Sequence, residues 1–295
     1  MTGRVFAIPD IHGESEKLKR IRDLLFGRLN FSWDEDTLVY LGDFIDRGPN
    51  VKETVRQVRE DAQNGAVVLL GNHEDFALKT LLRPGSEKTK RAFEILRMWT
   101  VPQNGGQNTL QSYRSEFSSA FKISLPEAPK WEGETWNCGD IAFIRKLVDF
   151  PIDDWLSFWM NESVETIWDC IGPSLRSDLE WFDSLPICYE TDQFFFSHAP
   201  VSRKFANVEL AMLDRDSFLR THHGAEREDR FAMKIPGKIG VCGHIFNPWL
   251  GLGPRFYDHY YYLDSASGCH PTGRSIVANL TEREWWDNHG DYHRF

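Results

Sequence analysis

Five short segments gather the side chains that bind metal ions and phosphate: PDIHGE (9–14), LGDFIDRGP (41–49), LLGNHED (69–75), FSHAP (196–200) and VCGHIFNP (241–248). Each supplies Asp, Asn or His, the oxygen and nitrogen donors that suit borderline divalent ions such as manganese, iron and zinc. They carry unequal weight. A lone DxH arises by chance, and its bland reading is a turn followed by a helix cap. A lone GH or SHAP is more often a satisfied structural histidine. GDFIDRG is stronger, because two Asp, one Arg and two Gly within seven residues serve no packing purpose. GNHE interrupts an apolar run and therefore needs some use. The order of all five along the chain argues against coincidence.

The elements that must hold these segments are short strands and amphipathic helices. VFAIP (5–9), TLVYL (37–41) and AVVLL (66–70) read as strands. Residues 14–29 and 50–64 read as helices, with Leu18, Ile21, Leu24, Leu25 and Leu29 inward in the first and Val51, Val55 and Val58 inward in the second. Strand–helix–strand repeats imply crossover connections and helices laid on the sheet faces. In such sheets functional loops gather at the carboxyl ends of the strands, so the polar loops should meet in space. The helices after Gly13 and Pro49 would point their N-termini at the site, an orientation that favours anions. Strands resume at 186–190, 193–197, 238–242, 260–263 and 275–280. The fold class expected is α/β, with central mixed β-sheets flanked by helices.

Residues 76–186 read as a mostly helical insertion, forming a cap or wall, with helical periodicity at 76–82 and 88–99. Seven of the eleven tryptophans lie there: Trp99, Trp131, Trp136, Trp155, Trp159, Trp168 and Trp181. The bland alternative is a peripheral helical layer with no functional role. Residues 282–295 read as a polar, aromatic surface tail whose His289 and His293 are not ligands. One domain over 1–295 with this insertion is the simplest account.

The formal charge of −10 argues against a nucleic-acid-binding surface, since phosphate backbones demand basic patches. It does not exclude a phosphorylated substrate, because bound cations reverse the sign locally. Five cysteines without a CxxC pair read as reduced thiols in a reducing compartment. No apolar run reaches the length of a membrane span. The start runs from MTGR directly into a strand, so no signal peptide is expected. A cytoplasmic enzyme is the default expectation.

Taken together, the segments resemble the calcineurin-like metallophosphoesterase superfamily, and within it the phosphoprotein phosphatase-type branch. That branch holds serine/threonine protein phosphatases and symmetrical diadenosine tetraphosphate hydrolases. QNGGQNTLQSY (103–113), WFDSLP (181–186), LDRDSFL (213–219) and LDSASG (263–268) extend the likeness, which runs from about residue 4 to 280 and leaves 117–175 uncovered. The resemblance implies two divalent metal ions, manganese first, with iron or zinc as alternatives. It implies that Asp10 and His12 bind one ion, that Asp43 bridges both, and that Asn72, His198 and His244 complete the second. A bridging carboxylate holds two cations about 3.5–4 Å apart, the separation used for in-line displacement at phosphorus.

His73 follows a ligand directly and is assigned as general acid, with Asp46 accepting from its other ring nitrogen and favouring the imidazolium. The bland reading of His73 is a hydrogen bonder behind the ligands. Arg47 has the planar fork that grips phosphate oxygens. Arg215 matches the branch's downstream phosphate-binding arginine, with Arg203 and Arg220 near enough to compete. The nucleophile expected is a metal-bridging hydroxide.

Two departures from the pattern bear on substrate. Phe246 stands where many superfamily nucleases carry a second histidine after the glycine–histidine pair, which favours the phosphatase-type branch. Leu70 stands where many protein phosphatases carry an arginine, which leans towards the tetraphosphate hydrolases. The expected function is phosphate-ester hydrolysis, with a serine/threonine protein phosphatase-like phosphomonoesterase first and a diadenosine tetraphosphate hydrolase second. A non-catalytic binding module is the third reading. The partner implied is a phosphorylated substrate (phosphoprotein, phosphopeptide or nucleotide), with neither nucleic acid nor membrane.

Overall fold

Strand β1 (Val5–Ile8) sorts its side chains between two cores by strict alternation. Phe6 and Ile8 face one core with Leu38, Tyr40, Leu18 and Val55. Ala7 faces a second core with Val39, Leu41, Phe194, Phe196 and Val241. A strand buried on both faces needs apolar residues at both parities, and VFAI supplies them. The computed structural model that shows this describes residues 3–82, 95, 98–100, 104–116, 171–203, 205, 207–212, 214, 216–220, 232–245, 253–257, 259–270 and 272–295.

β1 pairs in parallel with β2 (Thr37–Tyr40), and β2 with β3 (Val67–Val68). The connections are helices α1 (Ser15–Asp23) and α2 (Val51–Gln63), the two crossovers expected from periodicity. α1 continues into a π-helical turn, Leu24–Arg28. Its Leu18 and Ile21, and Val51, Val55 and Val58 of α2, are buried as the 3.6-residue spacing requires. After β3 come α3 (Asn72–Ala77), a π-helical turn Leu78–Leu82, α4 (Gly106–Ser112) and α5 (Pro173–Ser184).

A second sheet is built from β4 (Cys188–Glu190), β5 (Phe194–Ser197), β6 (Ile239–Cys242), β7 (Arg255–Tyr257) and β8 (Tyr260–Tyr262), in the order β4-β5-β6-β8-β7. Here β5, β6 and β8 run parallel. Phe194 and Phe196 of β5 point between the sheets, whereas Phe195 turns outward to Phe218, Ala211 and Tyr260. Two short helices, α6 (Val208–Ala211) and α7 (Asp216–Leu219), lie on that outer side. The layers are therefore helix, sheet, sheet, helix, with the central core between two mixed sheets.

Residues 282–295 depart from the expected tail. β9 (Ile276–Asn279) pairs antiparallel with β1, and β10 (Glu284–Asp287) and β11 (Tyr292–Arg294) extend the first sheet to β11-β10-β9-β1-β2-β3. A turn at Asp287–Gly290, with Gly290 at φ 85°, joins the hairpin. Trp285 stacks on His293 at 3.8 Å, so aromatic side chains of the expected tail hold the hairpin together. Most of the expected insertion, including 117–170 and most of 88–99, lies outside the described residues, as do Arg215 and Phe246. No helix among the described residues is long and apolar enough to cross a membrane.

Candidate metal centre

Six parallel strands, three in each sheet, end on the same side of the molecule, and the residues after them converge. Asp10 and His12 follow β1, Asp43, Asp46 and Arg47 follow β2, and Asn72 and His73 open α3 after β3. His198 follows β5, His244 follows β6, and Asp264 follows β8. Five of these residues sit in left-handed backbone: His12 (φ 49°), Asp43 (55°), Asp46 (71°), Arg47 (60°) and His244 (63°). That conformation is unfavourable for residues with a Cβ and persists where surrounding contacts impose it, as at functional sites. Here Ile11 N and His12 N both donate to Asp43 O, at 3.0 and 2.9 Å, and Gly48 N donates to His12 O at 2.9 Å.

Asp43 is the hub. Its Oδ2 lies 3.4 Å from His198 Nε2 and 3.8 Å from the Nε2 atoms of both His12 and His73. Burial alone would raise its pKa, yet the histidines, His198 and His73 foremost, hold the carboxyl well below the usual range. Two sets of atoms are close enough to share an ion: His12, Asp43 and His73, and Asp43, His198 and His244. The second set brings together three of the residues expected there, and Asn72 Oδ1 lies 2.8 Å from His198 Nε2. The first differs from expectation in two ways. His73 joins it, and Asp10 instead accepts the backbone N–H of His244 at 2.9 Å.

The tautomers test whether a cation fits. His12 Nδ1 donates to Ile45 O at 3.0 Å, and His198 Nδ1 donates to Leu41 O at 2.8 Å. In their neutral forms both rings therefore turn a lone pair on Nε2 inward. The His198 lone pair then faces the Asn72 carbonyl oxygen and the Asp43 carboxylate. Acceptors in such contact repel unless a cation, or a second proton on the ring, lies among them. Burial lowers the affinity of His198 for that proton, but Asp43 outweighs it and raises the ring to about 9. The acids show the same shortage of positive charge. Burial, with Asp264 close by, pushes Asp10 well above the carboxylate range, and burial lifts Asp264 to about 6. Two divalent ions would meet this demand, and His12, Asp43, His73, His198 and His244 offer nitrogen and oxygen atoms close enough together to hold them.

Beside the carboxylate hub lies an acid–base pair. His73 Nδ1 donates to Asp46 Oδ2 at 2.6 Å. Asp46, wholly buried, also accepts from Trp99 Nε1 at 2.8 Å and from Thr109 Oγ1 at 2.5 Å. Arg47 Nη2 donates to His73 Nε2 at 3.2 Å, and Arg47 Nη1 donates to His12 Nε2 and to Cys269 Sγ. In this arrangement His73 is a neutral imidazole. Burial, opposed by Asp43 and aided by Arg47, holds its pKa well below 6.5, so the expected imidazolium is not the form this geometry favours. Arg47 itself is clamped through its backbone, with its N–H on Gly105 O at 3.3 Å and its carbonyl receiving Asn108 Nδ2. That explains the QNGGQNTLQSY stretch, which holds the DRG turn in place.

Several residues here carried no role in the sequence reading. Glu74, fully buried, accepts four backbone N–H groups: Gly71 (3.0 Å), Asp43 (2.9 Å), Phe44 (3.0 Å) and Ile45 (3.1 Å). It ties the GDFIDRG loop to the start of α3. An acid three residues after the helix-capping Gly71 was the signal that could have found it. The loop 264–268 packs on the first segment, with Ser267 Oγ donating to Ile11 O at 3.3 Å. Trp99 and Thr109 had no recognisable local signal, because their partner Asp46 is more than fifty residues away.

Gly71 and Gly243 are required by space. A Cβ on Gly71 would lie 2.2 Å from Asp43 Oδ1, and one on Gly243 2.1 Å from Asp10 Oδ2. Gly71→Ala should therefore cost about 1–3 kcal/mol of stability by overpacking, although its φ of −96° is open to alanine. Denaturant unfolding of the ion-free protein checks this. An unchanged midpoint would mean that the hub can move aside without loss.

A relative from Vibrio campbellii named symmetrical bis(5'-nucleosyl)-tetraphosphatase is 24% identical over 291 residues, covering 96% of this chain and 95% of its own length. Serine/threonine-protein phosphatase 1 of Salmonella typhimurium is 27% identical over 209 residues, covering 69% of this chain and 83% of its own. A symmetrical bis(5'-nucleosyl)-tetraphosphatase of Xylella fastidiosa is 31% identical over 97 residues, and this chain spans only 31% of its length. Among solved structures, the cold-active protein-tyrosine phosphatase of the psychrophile Shewanella sp. shares the fold, with a TM-score of 0.51 at 13% identity over all of this chain and 80% of that one. The profile described as calcineurin-like phosphoesterase matches residues 3–248, spanning all five polar segments, and the chain belongs to that family.

Proposed function

We propose that the chain hydrolyses phosphate esters at a two-metal centre, and that its substrate is a phosphomonoester of the serine/threonine phosphoprotein kind. The observation that carries the reading is the Asp43 carboxylate, set among three histidine nitrogens within 3.8 Å and beside the Arg47 guanidinium. Asp10 and His12 would hold one ion, Asn72, His198 and His244 the other, and Asp43 both. Bound divalent ions, manganese first with iron or zinc as alternatives, would supply Lewis acidity and a water deprotonated near neutral pH.

The chain's own groups do the rest. Arg47 grips the phosphoryl oxygens with its planar fork and stabilises the charge that develops there. Once Arg47 turns to phosphate, His73 Nε2 is released from its present donor and can hold the proton that the leaving oxygen needs. Asp46 fixes the ring through Nδ1, and Trp99 and Thr109 fix Asp46. Arg215 remains the proposed second phosphate ligand. Its competitors have other partners, since Arg203 Nε donates to Ala232 O at 2.7 Å and Arg220 is engaged with Asp75 and Asp216. Cys188 and Cys269 are free thiols, which fits a reducing, cytoplasmic setting.

The near full-length match to the Vibrio campbellii tetraphosphatase favours a second reading, hydrolysis of a dinucleoside tetraphosphate. A paired assay with manganese separates the two, comparing a phosphoserine peptide and para-nitrophenyl phosphate with diadenosine tetraphosphate. We expect turnover of both monoesters to exceed that of the dinucleotide. Cleavage of the dinucleotide alone would overturn the first reading in favour of the second. A metal-loaded protein inactive on all three would favour a non-catalytic binding module.

A further inference from the structure

Helix α3 opens with Asn72 and His73 and continues with two adjacent acids, which reach in opposite directions. Glu74 is bonded to the loop after β2, in the first sheet. Asp75, 3% exposed, is bonded instead to Arg220, which follows α7 on the side of the second sheet. The Arg220 Nη2 that meets Asp75 Oδ2 also lies 3.4 Å from the backbone carbonyl oxygen of Asn72. Arg220 Nη1 donates to Asp216 Oδ1 at 2.5 Å, and the guanidinium carbon sits 4.6 Å over the Phe76 ring. Lys79 Nζ completes the cluster, 2.8 Å from Asp75 and 3.4 Å from Asp216. Among the described residues, two cations and two acids thus meet at the boundary between the halves.

The same segment holds the other side of the centre. Phe218 O accepts the backbone N–H of Ala199 at 2.7 Å, one residue beyond His198. Residues 216–220 therefore bridge Asn72 on α3 and His198 after β5, two side chains from different sheets that must meet at 2.8 Å. The planar fork is suited to this. It can serve Asp75, Asp216 and the Asn72 carbonyl together while its face packs on Phe76, which a lysine ammonium on a flexible stem cannot do. Groups that orient a ligand from behind typically change metal affinity by about 10–100-fold when removed.

We infer that Arg220 is a positioning residue for the second ion, setting the Asn72–His198 pair across the sheet boundary rather than contacting phosphate. The inference rests on the proposed reading that Asn72 and His198 are ligands. It assigns the LDRDSFLR stretch two separate tasks, with Arg220 turned to the fold.

The test is calorimetric titration of the ion-free protein with manganese, beside KM for a phosphomonoester at saturating manganese. Arg220→Lys keeps the charge next to buried Asp75, so the chain should fold. It should bind one of its two ions about 10-fold less tightly and the other as before, with KM changed less than about 3-fold. Arg220→Ala should approach about 100-fold, and if it does not fold, Arg220→Lys still decides. Unchanged manganese affinity with a raised KM would make Arg220 a phosphate ligand and overturn the inference. Unchanged values throughout would overturn it as well. Asp43→Asn serves as the control: if it too leaves manganese binding intact, the two-metal reading fails, whereas if it alone abolishes binding, only the role of Arg220 falls.

Discussion

Asp43→Asn should remove both ions at once. The substitution conserves shape, so the backbone bonds that Asp43 makes to Ile11 and His12 survive. What it removes is the one carboxylate common to both candidate sets of ligand atoms. It also presents either an amide N–H₂ or a neutral oxygen to nitrogens that a full negative charge now organises. Losing a group behind the ligands typically costs about 10–100-fold in affinity, so losing a shared ligand should cost at least about 100-fold for each ion. A second measurement follows from linkage. A ligand at about 100 times its dissociation constant stabilises the folded state by about 2.7 kcal/mol per site, so manganese should raise the melting temperature of the natural protein and leave the variant's unmoved. A variant that still binds one ion at natural affinity would show that Asp43 serves only one position.

Much of this centre was legible from the chain because its chemistry is local. Each of the five polar segments follows a strand, and strand ends can be read from apolar runs of four or five residues such as VFAI and TLVY. The placement of the loops at one edge followed from parallel crossovers. What escaped was whatever depends on contact between distant segments. Trp99 and Thr109 hold Asp46 across 53 and 63 residues, and no spacing rule connects them. Glu74 was quoted as part of a motif, yet its task appears only when the loops at 43–45 and 71 are seen folded around one carboxylate. The hairpin at 284–294 was hidden for a different reason. Its strands are three and four residues long and its turn is rich in Asp, Asn and His, so local polarity outweighed a short alternation. Pairing with β9, rather than any propensity of its own, makes it a strand.

His73→Asn should keep both ions and lose most turnover, by about 10²–10⁴-fold with a phosphoserine peptide, the usual worth of a positioned general acid. Its ring is placed for that task. Nδ1 is committed to buried Asp46 at 2.6 Å, and Nε2 opens towards Arg47 at 3.2 Å, where a phosphate gripped by that arginine would present its leaving oxygen. The leaving group makes the prediction sharper. A serine alkoxide needs a proton in order to depart, whereas a nitrophenolate departs as a stable anion. The loss with para-nitrophenyl phosphate should therefore be smaller than with the peptide by at least about tenfold. Equal losses on both substrates would indicate a general disturbance of the site rather than a missing proton. Because His73 Nε2 lies 3.8 Å from Asp43 Oδ2, within the first set of candidate ligand atoms, the manganese titration is essential. Loss of an ion in this variant would make His73 a ligand and leave the leaving group to be protonated by another residue.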